Sequence, residues 1–222
     1  MSQKQPAGPP PSYEETMSNK SGNLYPGLPE KPEPEPEPVT GNPADLNDFA
    51  LIMKAADFAA RRHRFQRRKD PQQTPYINHP IGVAHILTYE AGIQDPQVIV
   101  AALLHDTVED TKTTFEEIKA LFGEDILKIV QECTDDKSLP KDKRKQLQID
   151  NAASHSYKAR IVHLADKLYN LRDLERANPV GWSPKTCKNY VKWAKEVIDQ
   201  IRGTNDKLEQ ELDNVISRLL GS

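Results

Sequence analysis

The stretch Asp95-Pro96-Gln97-Val98-Ile99-Val100-Ala101-Ala102-Leu103-Leu104-His105-Asp106-Thr107-Val108-Glu109-Asp110 runs an apolar segment directly into a histidine and a cluster of acids. Asp95-Pro96 opens a helix, with a capping side chain followed by a first-turn proline, and the pattern continues it through about Glu109. At about 100° per residue, His105, Asp106, Glu109 and Asp110 fall near 0°, 100°, 40° and 140°, whereas Val100, Leu103 and Leu104 fall near 220°, 160° and 260°. The acidic arc is separate from the apolar arc. Val98 to Leu104 is the longest unbroken apolar run, far short of the roughly 20 residues of a membrane span, so a soluble protein is expected.

Outward from this stretch the pattern stays helical. From residue 44 onward the chain has few glycines and no convincing alternating segment, which predicts an all-α bundle of roughly eight to ten helices. Phe49, Met53, Ala56 and Ala60 mark the apolar stripe of a first helix, and Pro80 stands in the first turn of a second that runs to about Glu90. Thr114 and Glu117 form a capping box for a short helix that stops at Gly123, and another follows to about Cys133. Further helices are expected over 140–153, 157–175, 183–202 and 205–220, the last burying Leu208, Leu212, Val215 and Leu219.

Residues 1–41 read differently. They hold ten of the 18 prolines, end in Glu33-Pro34-Glu35-Pro36-Glu37-Pro38 and offer almost nothing apolar, so a disordered or polyproline-II tail is expected before a single domain over 42–222. Within the tail, Pro10-Pro11-Ser12-Tyr13 fits the Pro-Pro-x-Tyr pattern that suits the aromatic groove of a WW domain. The domain itself carries 27 basic and 27 acidic residues; such a balance gives no bulk field for a nucleic-acid duplex, and any polyanion must be held by a local basic cluster. Cys133 and Cys187 are the only cysteines, which argues against a disulfide framework or a cysteine-rich zinc site and for a reducing, cytoplasmic compartment.

Four separated places bear chemistry: Asn78-His79-Pro80, His105-Asp106, Asp166 within Leu164-Ala165-Asp166-Lys167-Leu168, and Asn170 one turn later. On the later helix Asp166, Asn170 and Asp173 lie within about 60° of one another, while Ile161, Leu164, Leu168 and Leu171 cover the opposite side. Carboxylates converging inside a helical bundle are costly unless a cation neutralises them. His79, His105, Asp106 and Asp166 are therefore the candidate ligands of one divalent ion, and their carboxylate content leans toward Mn²⁺ rather than a closed structural zinc site. Glu109 and Asp110 could orient a water activated by that ion or take its proton. His63, His85, His155 and His163 are read as caps, solvated groups or satisfied core residues. Arg67-Arg68-Lys69 and the group Lys141, Lys143, Arg144 and Lys145 offer positive charge to a phosphoryl substrate.

These residues resemble the HD superfamily of metal-dependent phosphohydrolases, named for a His…His-Asp…Asp set. Thr74-Pro75-Tyr76-Ile77-Asn78-His79-Pro80, His105-Asp106-Thr107-Val108-Glu109-Asp110-Thr111 and Leu164-Ala165-Asp166-Lys167-Leu168-Tyr169-Asn170-Leu171-Arg172 are similar to the hydrolase domain of the RelA/SpoT alarmone enzymes, over about residues 44–205. With no room for synthetase and regulatory domains, the chain most resembles the stand-alone metazoan SpoT homologues. The resemblance implies Mn²⁺-dependent removal of the 3′-pyrophosphate of ppGpp or pppGpp, giving GDP or GTP and pyrophosphate. It assigns the metal to His79, His105, Asp106 and Asp166, water activation to Glu109 and Asp110, phosphate contacts to Arg68, Lys69, Lys141 and Arg144, and a place near the nucleotide to Tyr76 and Asn170. Removal of the 2′-phosphate of NADPH is the alternative reaction for the same site, and a non-catalytic adaptor acting through the Pro-Pro-x-Tyr tail is the alternative of another class. Two departures bear on selectivity: a longer Asp70-Pro71-Gln72-Gln73-Thr74-Pro75 segment, and Tyr169 and Asp173 where the family usually has His and Thr.

Overall fold

The computed structural model describes residues 46–221, so the expected tail, its Pro10–Tyr13 motif and the boundary at residue 42 lie outside the described residues. The described chain is helical: α1 (Asp48–Arg62), α2 (Asn78–His85), α3 (Pro96–Leu104), α4 (Thr107–Asp110), α5 (Phe115–Phe122), α6 (Glu124–Cys133), α7 (Lys141–Ala152), α8 (Tyr157–Arg176), α9 (Pro184–Asp199) and α10 (Asp206–Leu220). Among the described residues the one β feature is an isolated antiparallel bridge between Arg67 and Pro75.

Helix starts follow the sequence signals. Asp95 accepts from the Gln97 N–H at 2.9 Å ahead of α3, and Thr114, Ser156, Ser183 and Asn205 cap α5, α8, α9 and α10 in the same way. Each satisfies an N–H that the first turn cannot pair. The expected capping box at α5 is only half made: Thr114 caps, while the Glu117 carboxylate pairs with Arg62 of α1. Gly123 then ends α5 with φ of +90° and starts α6.

The second predicted helix changes its winding. After α2, Ile86–Glu90 forms a π-helical turn in which the Ala91 N–H reaches the Ile86 carbonyl. The turn buries Ile86 and Leu87 and brings Glu90 to Arg172 of α8, where two parallel bonds of 2.7 and 2.9 Å form.

The core lies around α3 and α8, each of which packs against both α2 and α6. Val98 to Leu104 are buried without exception. On α8, Ile161, Leu164, Leu168 and Leu171 are fully buried, as the stripe predicted, and α10 covers that helix with Leu208, Leu212 and Val215.

The stripe predicted for α1 is corrected. Phe49 is 74% and Met53 51% exposed, and the buried face is instead Ala55, Phe58 and Ala59, with Leu51 and Ile52 packed at its edge. Phe58 decides the orientation, because its ring meets Phe122 of α5 edge-on at 5.5 Å, and an aromatic pair outweighs the alanines of the other stripe. Phe58→Ala is therefore expected to cost about 3–5 kcal/mol and Phe49→Ala to stay within about 0.5 kcal/mol, as read from urea unfolding of the two variants.

Candidate metal centre

The helix predicted to run through Glu109 stops at Leu104, and that break builds the site. His105 Nδ1 lies 2.7 Å from the Ala102 carbonyl and the Thr107 hydroxyl donates to the Leu104 carbonyl at 2.7 Å. Side chains thus occupy carbonyls at the helix end, and the helix resumes only at Thr107. His105 and Asp106, neighbours in sequence, now face the same point, with Nε2 and Oδ2 3.1 Å apart.

His79 enters from the first turn of α2 and Asp166 from the middle of α8. His79 Nε2 lies 3.1 Å from Asp166 Oδ1 and 3.4 Å from Asp106 Oδ2. The donor atoms of His79, His105 and Asp166 all lie within 4.8 Å of one another. Because His105 Nδ1–H donates to a backbone carbonyl, its Nε2 is left as a lone pair, and that buried atom makes no hydrogen bond. A bare imidazole nitrogen beside two carboxylates fits a divalent ion, and the nitrogen and oxygen donors suit a first-row metal.

The surroundings hold these donors in place. Asp166 presents Oδ1 to His79 and accepts there from Asn170 at 2.6 Å, while its Oδ2 pairs with Lys167 at 3.1 Å. Tyr76 donates its hydroxyl to Asp106 Oδ2 at 2.6 Å. Burial and the adjacent Asp106 push the Tyr76 phenol well above its usual range, so the proton stays on. Burial alone would raise Asp166, yet the Lys167 ammonium beside it holds its carboxyl well below the usual range.

The cluster lines a cavity of about 200 Å³ that also takes in Arg68, Tyr76, Glu109, Lys167 and Asn170. Glu109 is half-buried, accepting from the Asp135 N–H at 3.2 Å, and burial together with the carboxylates of Asp106, Asp135 and Asp110 pushes it up to about 7. Arg68 donates to Asn170 at 2.6 Å and to Asp173 at 2.8 Å. Other expected residues stand farther out. Asp110 is held by Gln66 and Lys137 and lines a neighbouring cavity with exposed Lys69. Arg144 lines a third cavity, 3.6 Å from Glu109, and Lys141 is exposed at the start of α7.

Comparison with known proteins agrees with this geometry. Residues 55–189 match the HD domain. The chain belongs to the HD-domain family. It is 60% identical over 169 residues to the Xenopus tropicalis guanosine-3′,5′-bis(diphosphate) 3′-pyrophosphohydrolase MESH1, covering 76% of this chain and 94% of that protein. The Homo sapiens MESH1 is 55% identical over 172 residues, covering 78% and 96%. A solved structure described as a metazoan ortholog of SpoT that hydrolyzes ppGpp and plays a role in starvation responses superposes with a TM-score of 0.75 at 53% identity, covering 78% of this chain and 96% of that one.

Within this HD site, Lys167 and Gly82 escaped the sequence reading, and Tyr169, marked there only as a departure bearing on selectivity, makes a contact that the sequence did not foretell. Lys167 is 5% exposed, with its ammonium over the Trp193 ring at 4.9 Å and against Asp166. Its signal was present: at about 100° from Asp166 it falls between Leu174 and Leu171, a lysine inside the apolar arc. Tyr169 sets its ring 4.9 Å from that of His79, and Gly82 makes this possible, because a Cβ there would stand 1.9 Å from the Tyr169 ring. No periodicity marks such a glycine. Gly82→Ala is expected to force Tyr169 off His79, lowering stability by about 1–3 kcal/mol and weakening metal retention, as measured by thermal unfolding and metal analysis of the same preparation.

Proposed function

We propose that this protein is a Mn²⁺-dependent 3′-pyrophosphohydrolase of ppGpp and pppGpp. The observation that carries the reading is the buried His79–His105–Asp166 set, walled by Asp106, in a chain so similar to proteins named for that reaction. The relatives are named for the alarmone, which favours it over the 2′-phosphate of NADPH.

His79, His105, Asp106 and Asp166 would hold one Mn²⁺; when bound, the ion acidifies water and offsets phosphate charge. Glu109 takes the proton of the attacking water, and Asp110, tethered to Gln66 and Lys137, orients it. The water oxygen bonds to the phosphorus on O3′, the bond from that phosphorus to O3′ breaks, and a proton ends on O3′. Arg68, Lys69, Lys141 and Arg144 meet the phosphates, and Tyr76 and Asn170 lie beside the nucleotide. For Arg68 this means exchanging Asp173 for phosphate oxygens as acceptor.

Among the described residues no helix is long and apolar enough to cross a membrane. Free Cys133 and Cys187 suit a cytoplasmic setting. The Pro10–Tyr13 motif is a separate contact for a WW-domain partner; Tyr13→Ala should abolish pull-down by WW domains, and unchanged recovery would remove that role.

The decisive assay strips the full chain with chelator, restores Mn²⁺ and compares pyrophosphate release from ppGpp with phosphate release from NADPH. Metal-dependent turnover of ppGpp is expected; turnover of NADPH alone, or of neither, overturns the reading. His105→Ala and Asp106→Ala should lose metal and activity together, whereas Glu109→Ala should keep metal and lose rate by about 10²–10⁴-fold. Equal metal loss in all three would end this division of roles. Because a protonated Glu109 cannot accept a proton, kcat/KM should fall on the acid side, with its limb at or below pH about 7 since a cation nearby favours the carboxylate.

A further inference from the structure

A partly buried polar chain links the end of α1 to the turn that carries Asp106 and Asp110. His63 caps α1 and is 1% exposed. Its Nδ1 lies 2.7 Å from Oε1 of Gln66, and Gln66 Nε2 donates to Asp110 Oδ2 at 2.8 Å. A carboxylate only accepts, so the amide turns its NH₂ to Asp110 and its carbonyl to His63. That carbonyl also only accepts, so the proton of the imidazole sits on Nδ1. Nε2 is then a bare nitrogen, and it is buried with no hydrogen-bond partner among the described residues. The same ring lies against Tyr76, with centroids 4.8 Å apart and planes at 33°, and Tyr76 is the donor to Asp106. One side chain therefore stands behind both carboxylates of the acidic turn.

We propose that His63 is a positioning residue for this turn: its Nδ1–H orients Gln66, which holds Asp110, and its ring backs the Tyr76 that holds Asp106. It touches neither substrate nor ion. The inference rests on the roles proposed above for Asp106 and Asp110. Lys137 takes the other Asp110 oxygen, so the Gln66 bond is what fixes the second one. A histidine that merely filled core volume would need neither a defined tautomer nor a donor at Nδ1.

The tautomer can be read on the native full chain by ¹⁵N NMR, in chelated and zinc-loaded samples. A protonated Nδ1 and a bare Nε2 are expected; an Nε2–H tautomer overturns the proposal. Kinetics supply the second readout. His63→Phe keeps a ring on Tyr76 and removes the donor, and should lower kcat about 10–100-fold with KM within about twofold and metal content unchanged. His63→Asn returns a donor to the place of Nδ1 but gives up the ring behind Tyr76, and its kcat should lie at least about threefold above that of His63→Phe while staying below the native value. Gln66→Met should fall as far as His63→Phe, and the double variant no further, because both cut the same link. Native kcat in His63→Phe, or equal loss in the Phe and Asn variants, overturns the proposal and leaves the hydrolase reading standing. A chain that turned over no nucleotide would still report the tautomer, so the two readings fail separately.

Discussion

Asp106 and Asp166 bring two carboxylates to the same pair of imidazoles inside a bundle otherwise filled with leucine, isoleucine, valine and alanine. Charge removed from water must be matched by charge or by donors, and much of the local structure answers that demand. Lys167 and Asn170 divide the two oxygens of Asp166, and Tyr76 takes one of Asp106. Buried, undistorted α3 and α8 supply the rigid frame on which these short contacts can be held.

The fold was largely legible because its signals are local. Capping side chains at Asp95, Thr114, Ser156, Ser183 and Asn205, a left-handed glycine at 123 and a leucine stripe on α8 each act within a turn or two of chain. The stripe of α1 was misassigned because four apolar positions there compete with another set, and the choice was made by Phe122, far along the chain. The break at His105 was invisible to periodicity, since a side chain claiming a backbone carbonyl leaves the hydrophobic pattern unchanged.

The site divides along the same line. His79, His105, Asp106, Asp166, Arg68, Tyr76, Glu109 and Asn170 all reach one cavity, as their polar stripes and the family resemblance suggested. What could not be read was the partner of each. Arg68 looked like free charge for phosphate, yet it is shared between Asn170 and Asp173. Gly82 had no legible role, because its importance is the absence of an atom where the ring of Tyr169, many turns away in sequence, must lie.

The three clustered donors, His79, His105 and Asp166, lie far apart along the chain. An unfolded chain, whose ends diffuse over long loops, seldom presents all three together, so a cation that fits the set favours the native state by mass action. Each tenfold rise of free ion above its dissociation constant then adds about 1.4 kcal/mol to the free energy of unfolding. With such an ion in the site, the stability of the folded chain would follow the ion's supply, through donors that the folded bundle brings within 4.8 Å of one another.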